Sequence, residues 1–253
     1  MTERLTRMAV KERTSPLRFN EESWHMISCL DEACSRELLA EVLEGRIERE
    51  QVFRDNWRTL SAQVRFQGMS LLLKIPRARN SRLWERLLTF FRGSDAQRIF
   101  RHLSMMSAMG LAAPEPVLAC EKRRAGVTTD AFVCYYYVEG RRAEPRDAGL
   151  VLEALRKLHG LGYLRTDAQL ANFLIRDDAV VFIDFRLKRP WLLPGLKKAR
   201  ELDRFLRSCP EAKRHLTDRE ASSFWLKIAH ALEDASFARR RLKRSIRDRK
   251  KLK

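Results

Sequence analysis

Apolar positions in the first half of the chain follow the two-residue period of β-strands. Val64 and Phe66 alternate with polar residues, and after Gly68 an apolar run ends at Ile75. This pattern predicts a β-hairpin. Two further strands are predicted in the stretches VLAC and AFVCYYYV, which flank a short polar segment.

Helical spacing marks the other apolar stretches. Over residues 20–43 the apolar residues recur three and four positions apart, which predicts a helix. A second helix is predicted over 81–91, and a third begins at Ser94, where Ser-x-x-Gln is the sequence of a capping box. From residue 147 onward helices dominate, and the first of them stops at Gly160.

The order of these elements predicts an α+β protein with two lobes. A helical extension is expected over residues 1–44, a small β-rich lobe over 45–139 and a helical lobe over 140–253. The dipeptide Glu139-Gly140 is the expected linker. No internal repeat interrupts this arrangement.

Charge narrows the possible partners. The 253 residues contain 51 Lys and Arg against 33 Asp and Glu, a formal charge of +18. Such a surface attracts polyanions, and composition leaves nucleic acid, an anionic membrane and a charged glycan as alternatives. Because no recognised nucleic-acid module is present, we expect no nucleic-acid partner.

The cysteines and the apolar stretches indicate in which cellular compartment the protein is expected. Five scattered cysteines have no zinc-ligand spacing, which favours a reducing compartment. No secretory h-region is found, and no stretch approaches the ~20 apolar residues of a membrane-spanning helix. Any membrane contact is therefore expected at the surface.

The candidate catalytic residues lie in one segment, residues 159–190, which reads HGLGYLRTDAQLANFLIRDDAVVFIDFRLKRP. Asp167 and Asn172 are separated by four residues, and after two short predicted strands, 170–175 and 179–184, the chain reaches Asp184. Phosphoryl transfer from ATP needs a carboxylate that orients the acceptor hydroxyl, and a carboxylate and an amide oxygen that hold Mg²⁺. This order is that of the catalytic and metal loops of protein kinases, and it predicts a protein-kinase-like fold with N-lobe and C-lobe.

The N-lobe has a candidate ATP-binding lysine. Lys74 ends an apolar strand, where a kinase lysine holds the α- and β-phosphates. Its carboxylate partner is expected on a following helix, with Asp95 preferred and Glu85 as the alternative. Tyr137 and Val138 stand where a hinge backbone would meet adenine.

A glycine-rich phosphate loop is missing. The region from Glu44 to Gly68 contains only two glycines, Gly45 and Gly68. Backbone amides, with Arg54 or Arg58, are expected to cover the phosphates instead.

Several stretches resemble the bacterial lipopolysaccharide core heptose kinases, specifically the heptose(II) kinase family. They are LLLKIPRARNSRLWERLLTFFRGSDAQRIF, VLACEKRR, and the DAQLANFL and FIDFRLKRP parts of the candidate segment. The resemblance covers about residues 45 to 190. It implies transfer of the ATP γ-phosphate to a heptose hydroxyl of the inner core, by a peripheral enzyme at the cytoplasmic face of the inner membrane.

The resemblance also implies a role for each matching residue. Asp167 would be the catalytic base, Asn172 and Asp184 the metal ligands, and Lys74 the phosphate lysine. Three positions depart from the usual kinase pattern. Arg165 stands where kinases often have His, Arg186 stands where the metal motif usually has Gly, and Asp95 is a shorter acid than the usual Glu.

The segment after Asp184 bears on the acceptor. It runs quickly to Pro190 without an Ala-Pro-Glu anchor, so a protein acceptor lacks its usual platform. Cations near the candidate site are expected to bind anionic groups of a glycolipid acceptor. The candidates are Arg165, Arg186, Lys188 and Arg189.

The tail from Arg239 to Lys253 carries ten Lys or Arg and one Asp. Such a cluster favours association with an anionic membrane surface. Two other functions remain open at this point. One is a different small-molecule or sugar kinase, acting on Kdo or an antibiotic, and the other is a pseudokinase that binds polyanions.

Overall fold

The structure is a computed structural model that describes residues 16–77 and 93–251. The chain divides into two compact units, Met1–Glu139 and Gly140–Lys253. This division falls at the dipeptide where the sequence places the linker. The helix predicted over 81–91, and with it Glu85, lies outside the described residues.

Within the described part of the first unit, seven strands form one antiparallel sheet in the order β1-β2-β6-β7-β5-β4-β3. The strands are β1 (Leu17–Glu21), β2 (Trp24–Ser28), β3 (Glu48–Asp55), β4 (Leu60–Phe66), β5 (Met69–Ile75), β6 (Pro116–Arg124) and β7 (Val127–Tyr136). Two helices accompany them, α1 (Glu32–Leu43) and α2 (Asp95–Ala108). The hairpin β4–β5 and the strands β6 and β7 confirm the predicted strands.

The helix predicted over residues 20–43 is wrong in its first half. Residues 17–28 form a hairpin, and β2 pairs with β6 so that Met26 lies opposite Cys120. Both faces of β2 are covered, because Trp24 and Met26 pack in one core and Ile27 in the other. Apolar residues on both faces of a strand imitate helical spacing. Residues 17–43 therefore belong to the sheet unit and form no separate helical extension.

Two cores fix the helices of this unit on opposite faces of the sheet. On one face, Leu38 and Leu39 of α1 are buried with strand residues such as Val64 and Leu71. On the other, Ala96 and Phe100 of α2 pack with Ala119, Ala131 and Val133. The predicted start of α2 is confirmed, since the Ser94 hydroxyl accepts a hydrogen bond from Gln97 N at 3.2 Å.

The second unit is mainly helical. Its described elements are β8 (Arg141–Arg142), α3 (Ala148–Gly160), β9 (Phe173–Arg176), β10 (Ala179–Phe182), α4 (Pro194–Ser208), α5 (Asp218–Ala221) and α6 (Phe224–Lys251). The strands form a small antiparallel sheet in the order β10-β9-β8. Both predicted strands are present but shorter. The first begins only at Phe173, because residues 170–172 form a 3₁₀ turn, and the second ends at Phe182.

Aromatic contacts and one close approach at a glycine hold the elements of this unit together. Phe173 packs edge to face on Phe182 and Phe205, with ring centroids 5.4 and 6.2 Å apart, which ties β9 and β10 to α4. At the start of α4, a Cβ added to Gly195 would lie 2.9 Å from Trp225 Nε1, so a larger residue would have to displace the Trp225 ring at this approach of α4 to α6. In the described part of the chain, no helix is both long and apolar enough to cross a bilayer.

Candidate active site

The loop between α3 and β9 holds Asp167 and Asn172 in a fixed relation. Asn172 Nδ2 donates a hydrogen bond to the backbone oxygen of Asp167 at 3.1 Å. Because the amide nitrogen is engaged, the amide oxygen is the atom that can take a cation. The Asp167 side chain is 49% exposed, and Arg204 Nη1 lies 3.8 Å from its Oδ1. Asp167 is thus reachable by an acceptor molecule.

The loop after β10 is joined to the same network. Ile183 N donates to the backbone oxygen of Asn172 at 3.2 Å. Asp184 comes next, between Ile183 and the buried Phe185, and its backbone is in the left-handed region with φ +48°. Non-glycine residues in that region are uncommon and cluster at functional sites. Hydrogen bonds therefore join the loop of Asp167 and Asn172 to Ile183, the residue directly before Asp184.

Arg165 joins these two loops from the interior. Its side chain is fully buried, and its guanidinium donates to the backbone oxygens of Asn172 and Ile183 at 3.4 and 3.0 Å. The guanidinium also lies 4.3 Å from the centroid of the Phe173 ring. Burial lowers the pKa of Arg165 to about 10, although the Glu201, Asp167 and Asp184 carboxylates oppose the shift.

This burial corrects one expectation from the sequence. The sequence makes Arg165 a candidate for binding the acceptor, but a side chain with 0% exposure cannot meet an acceptor at the surface. Two of its nitrogens donate to the backbone of the two loops. Arg165 is therefore a positioning residue that orients the loops carrying Asn172 and Asp184.

Glu201 of α4 holds the backbone that precedes Asp167. Its Oε1 accepts from Thr166 N at 2.6 Å, and its Oε2 accepts from Arg165 N at 3.3 Å and lies 2.8 Å from His159 Nε2. Thr166 has φ +75°, an outlier for a β-branched residue. The buried carboxylate stabilises this strained residue and so fixes the position of Asp167.

Sequence reasoning missed Glu201 because acids in helices are usually exposed. A signal was nevertheless present. Phe205 follows Glu201 by four residues, one helical turn, and is fully buried. An acid on the buried face of a helix needs internal partners, and the backbone N–H groups of Arg165 and Thr166 supply them here.

Lys74 lies on the sheet face that α2 covers. It is directly opposite Val133 of β7, and opposite residues of neighbouring strands share a face. Val133 packs with Ala96 and Phe100 of α2. The placement agrees with the expectation that a carboxylate from this helix side serves Lys74, while the identity of that carboxylate stays a prediction.

Two acids stand near the start of α2. Asp95 forms an ion pair with Arg98, three residues further along the same helix. Glu121 of β6 is buried, accepts a hydrogen bond from Ser94 N at 3.0 Å and pairs with Arg123. Glu121 is not singled out by the sequence pattern, and its role is to anchor the first turn of α2.

The hinge candidates follow β7 directly. Tyr137 N donates to the backbone oxygen of Ser70 at 3.0 Å, and the Tyr137 ring stacks on Phe53 with centroids 5.8 Å apart. Val138 is half-buried beside it. Contact of Tyr137 and Val138 with adenine stays a prediction.

The backbone amides of the turn between β3 and β4 do not offer the expected phosphate cover, whereas a role for Arg54 stays a prediction. Asn56 Oδ1 accepts from the backbone N–H groups of Arg58 and Thr59 at 2.9 and 3.0 Å. The Arg58 guanidinium lies 4.6 Å from the ring of the exposed Trp57. In this conformation the amides of the turn bind their own chain, so they are not open to a phosphate.

Asn172 and Asp184 fit a magnesium ion that takes few ligands from the protein. Mg²⁺ binds oxygen atoms and commonly keeps waters and substrate phosphates as its other ligands. Among the residues that the structure describes, no group of three or more His, Cys, Asp and Glu side chains forms a metal centre. The oxygen donors of Asn172 and Asp184 are of the type that a nucleotide-bound Mg²⁺ prefers.

The remaining acceptor candidates are on the surface. Arg186, Lys188 and Arg189 are all exposed. Lys188 is held by a two-way backbone pairing with Leu164, with both N···O distances 2.8 Å. Lys188 and Arg189 line an open cavity in the second unit, together with residues of α4.

The β-sheet unit, the helical unit and the order of the two loops define a protein-kinase-like fold. No family model matches the chain, and no curated protein sequence matches it. Among solved structures, WaaP in complex with acyl carrier protein is similar, with a TM-score of 0.52 and 15% identity over 87% of this chain and 97% of that one. The kinase domain of PknI from Mycobacterium tuberculosis, solved as a point mutant, has a TM-score of 0.41 and 14% identity over 75% and 95%.

The likeness to WaaP confirms the predicted α+β, two-lobed protein-kinase-like fold. At 15% identity it shows the fold alone. The chemistry of this chain has to be argued from its own residues.

Proposed function

We propose that the protein is a kinase that uses ATP and Mg²⁺ to phosphorylate a heptose hydroxyl of the lipopolysaccharide inner core. One observation carries this proposal. Hydrogen bonds of Arg165, Ile183 and Asn172 join the loop of Asp167 and Asn172 to the loop that begins before Asp184, and these residues follow the order of a kinase catalytic loop and metal loop.

Each residue has a defined task in this proposal. Asp167 orients the acceptor hydroxyl and accepts its proton as the oxygen bonds to the γ-phosphorus of ATP, while the bond from that phosphorus to the β-phosphate oxygen breaks and ADP leaves. The oxygens of Asn172 and Asp184 hold Mg²⁺, which neutralises charge on the phosphates when it is bound. Lys74 binds the α- and β-phosphates, and Tyr137 and Val138 meet the adenine.

The acceptor is proposed from the sequence resemblance and from charge. The exposed cations Arg186, Lys188 and Arg189 suit an anionic glycolipid better than a neutral sugar. The WaaP structure contains acyl carrier protein, so it does not bear on a glycolipid partner. We also propose that the enzyme works peripherally at the cytoplasmic face of the inner membrane, since the basic surface and tail favour an anionic leaflet.

A polyanion-binding pseudokinase is the second candidate. It is favoured by the turn between β3 and β4, where Asn56 occupies the amides of Arg58 and Thr59. Without phosphate cover, the affinity for ATP would be weak. A different sugar or antibiotic kinase shares the same catalytic residues and differs from the main proposal only in the acceptor.

The deciding experiment replaces the proposed base. Purified Asp167→Asn should phosphorylate heptose-containing core at least ~100-fold more slowly than the natural protein, because the amide cannot accept the proton. The product is measured by mass analysis as the gain of one phosphate, with and without a chelator of Mg²⁺. The core from cells lacking the protein should be short of the same phosphate.

A matched control is Asp178→Asn, which changes an exposed acid in the turn between β9 and β10. It should phosphorylate the core at the natural rate. Equal rates for Asp167→Asn and the natural protein would refute the role of Asp167. No transfer to any acceptor by the natural protein, combined with retained binding of polyanions, would support the pseudokinase.

A further inference from the structure

A basic cavity lies beside the catalytic loop, entirely within the second unit. It is open to solvent, has a volume of about 460 Å³, and is of a size that holds small ligands. Five of its lining residues are cations: Lys188, Arg189, Lys197, Arg200 and Arg204. Only the first two are singled out by the sequence.

Helix geometry accounts for the concentration of charge. Lys197, Arg200 and Arg204 are three and four residues apart, so they share one face of α4. All three are exposed. Like charges at this spacing destabilise a helix, which makes such a face costly unless an anion is bound there.

The acid that lines the cavity does not neutralise these cations. Glu201 is only 3% exposed, and its oxygens are engaged by Thr166 N, Arg165 N and His159. Arg200 has one carboxylate nearby, with its Nη2 3.6 Å from Glu233 Oε2. The cavity therefore keeps a net positive charge that favours an anionic ligand.

Arg204 connects this cavity to the proposed base. Its Nη1 donates to the backbone oxygen of Thr166 at 2.9 Å and lies 3.8 Å from Asp167 Oδ1. A ligand group in the cavity would thus lie close to the hydroxyl that Asp167 activates. This places the cavity on the acceptor side of the reaction.

Trp191 adds an apolar surface to the cavity. Its side chain is 88% exposed, although it lines the cavity together with the cations. A large exposed aromatic next to charged groups is suited to a ligand with one apolar and one charged face. A sugar ring that carries an anionic substituent has this character.

We propose that the cavity binds an anionic group, a phosphate or a carboxylate, on a sugar next to the one that is phosphorylated. The identity of the acceptor rests on the proposed function, whereas the binding of an anionic sugar to the cavity does not. Lys197 and Arg200 supply charge-assisted hydrogen bonds to that group. The cavity would then select acceptors that are already charged.

The test is the double variant Lys197→Gln/Arg200→Gln of the full chain. Its KM for phosphorylated core oligosaccharide should rise at least ~tenfold, with a smaller change in kcat, because two charge-assisted contacts to the acceptor are lost. The control Lys213→Gln/Arg219→Gln removes the same charges from exposed positions outside the cavity. Equal KM values for the double variant and this control would overturn the proposal.

Direct binding separates this proposal from the proposed function. The core oligosaccharide is titrated calorimetrically into the natural protein and the double variant, without ATP. Binding at least ~tenfold weaker to the variant supports the cavity even if no phosphate transfer is ever seen, and equal binding overturns it. Core treated with phosphatase, which keeps its carboxylates, identifies the group: retained binding indicates a carboxylate, and lost binding indicates a phosphate.

Discussion

Arg165 carries a guanidinium into the interior of the second unit, at a position where kinases often have His. Two of its nitrogens donate to backbone oxygens, and among the residues described its buried Nε has no hydrogen-bond partner. Burying a charge with incomplete satisfaction costs free energy. The cost of burying Arg165 is offset by its hydrogen bonds, which join the two loops that contain Asn172 and Ile183.

We predict that Arg165→Met lowers the free energy of unfolding by about 3 kcal/mol, because the backbone oxygens of Asn172 and Ile183 lose their donor. If the proposed function is correct, it should also reduce phosphate transfer, because the two loops that carry Asn172 and Asp184 lose the side chain that joins them. Urea unfolding and phosphate transfer are measured side by side.

Arg186→Met serves as the control for stability, since Arg186 is exposed. An equal loss of stability in both variants would contradict the positioning role of Arg165.

The candidate catalytic residues are visible in the sequence, whereas the burial that makes Arg165 and Glu201 their supports is not. Asp167, Asn172 and Asp184 need particular functional groups at a particular spacing, and spacing is visible in a sequence. Glu201 and Arg165 act through burial, and burial depends on neighbours distant in the chain. For that reason the sequence assigns Arg165 to the acceptor and overlooks Glu201.

At the scale of elements, one ion pair joins α3 to α5. Arg156 Nε and Nη2 donate to the two carboxylate oxygens of Glu220 at 2.9 and 2.6 Å, and Nη2 also donates to the backbone oxygen of His215 at 2.8 Å. Arg156 is the main cause that lowers the pKa of Glu220 to about 2, and Thr217 contributes through its backbone and hydroxyl.

This pair predicts a loss of stability in acid. Because the pKa of Glu220 is lower in the folded chain than its ordinary value of 4.5, its contribution is present above pH 4.5 and is lost as the pH falls toward about 2. The contribution is at most about 3 kcal/mol, since the pair is partly exposed. Urea unfolding at pH 6 and pH 3 measures it.

Glu220→Gln is the matching variant for this measurement. It should lose stability at pH 6 and show a smaller decrease between pH 6 and pH 3 than the natural protein. An identical pH dependence in both would rule out this pair as the source.

A comparison of β4–β5 with β2 shows when the pattern of apolar residues is enough to predict a strand. The hairpin β4–β5 has one face in a core and alternates clearly, so the sequence predicts it well. β2 is covered on both faces, and its apolar spacing predicts a helix instead. Fully buried strands and helices cannot be separated by period alone.

For the whole molecule, charge is the property that composition predicts most directly. The formal charge of +18 is far from balanced, and ten cations lie between Arg239 and Lys253. A truncation after Ala238 would remove that tail and keep Phe237, whose ring lies 5.8 Å from the Arg207 guanidinium. The contact of α6 with α4 at this point would therefore be preserved.

We predict that removing residues 239–253 weakens binding to anionic vesicles by at least ~tenfold at low salt, since each basic residue near such a surface gains about 1 kcal/mol. Co-sedimentation with vesicles of anionic and of neutral lipids measures it. Binding to neutral vesicles is the control and should not change. Equal binding of both chains to anionic vesicles would mean that the tail has no part in it.

The pairing of β2 with β6 affects how the chain folds during synthesis and how it can be shortened. β1 and β2 are synthesised before β6, which ends at Arg124, so β2 can pair with β6 only after most of the unit has been translated. Long-range pairing of this kind slows folding. A fragment that began at residue 45 would leave the β6 edge open, and open strand edges promote aggregation. Any shortened version for expression should therefore begin before Leu17.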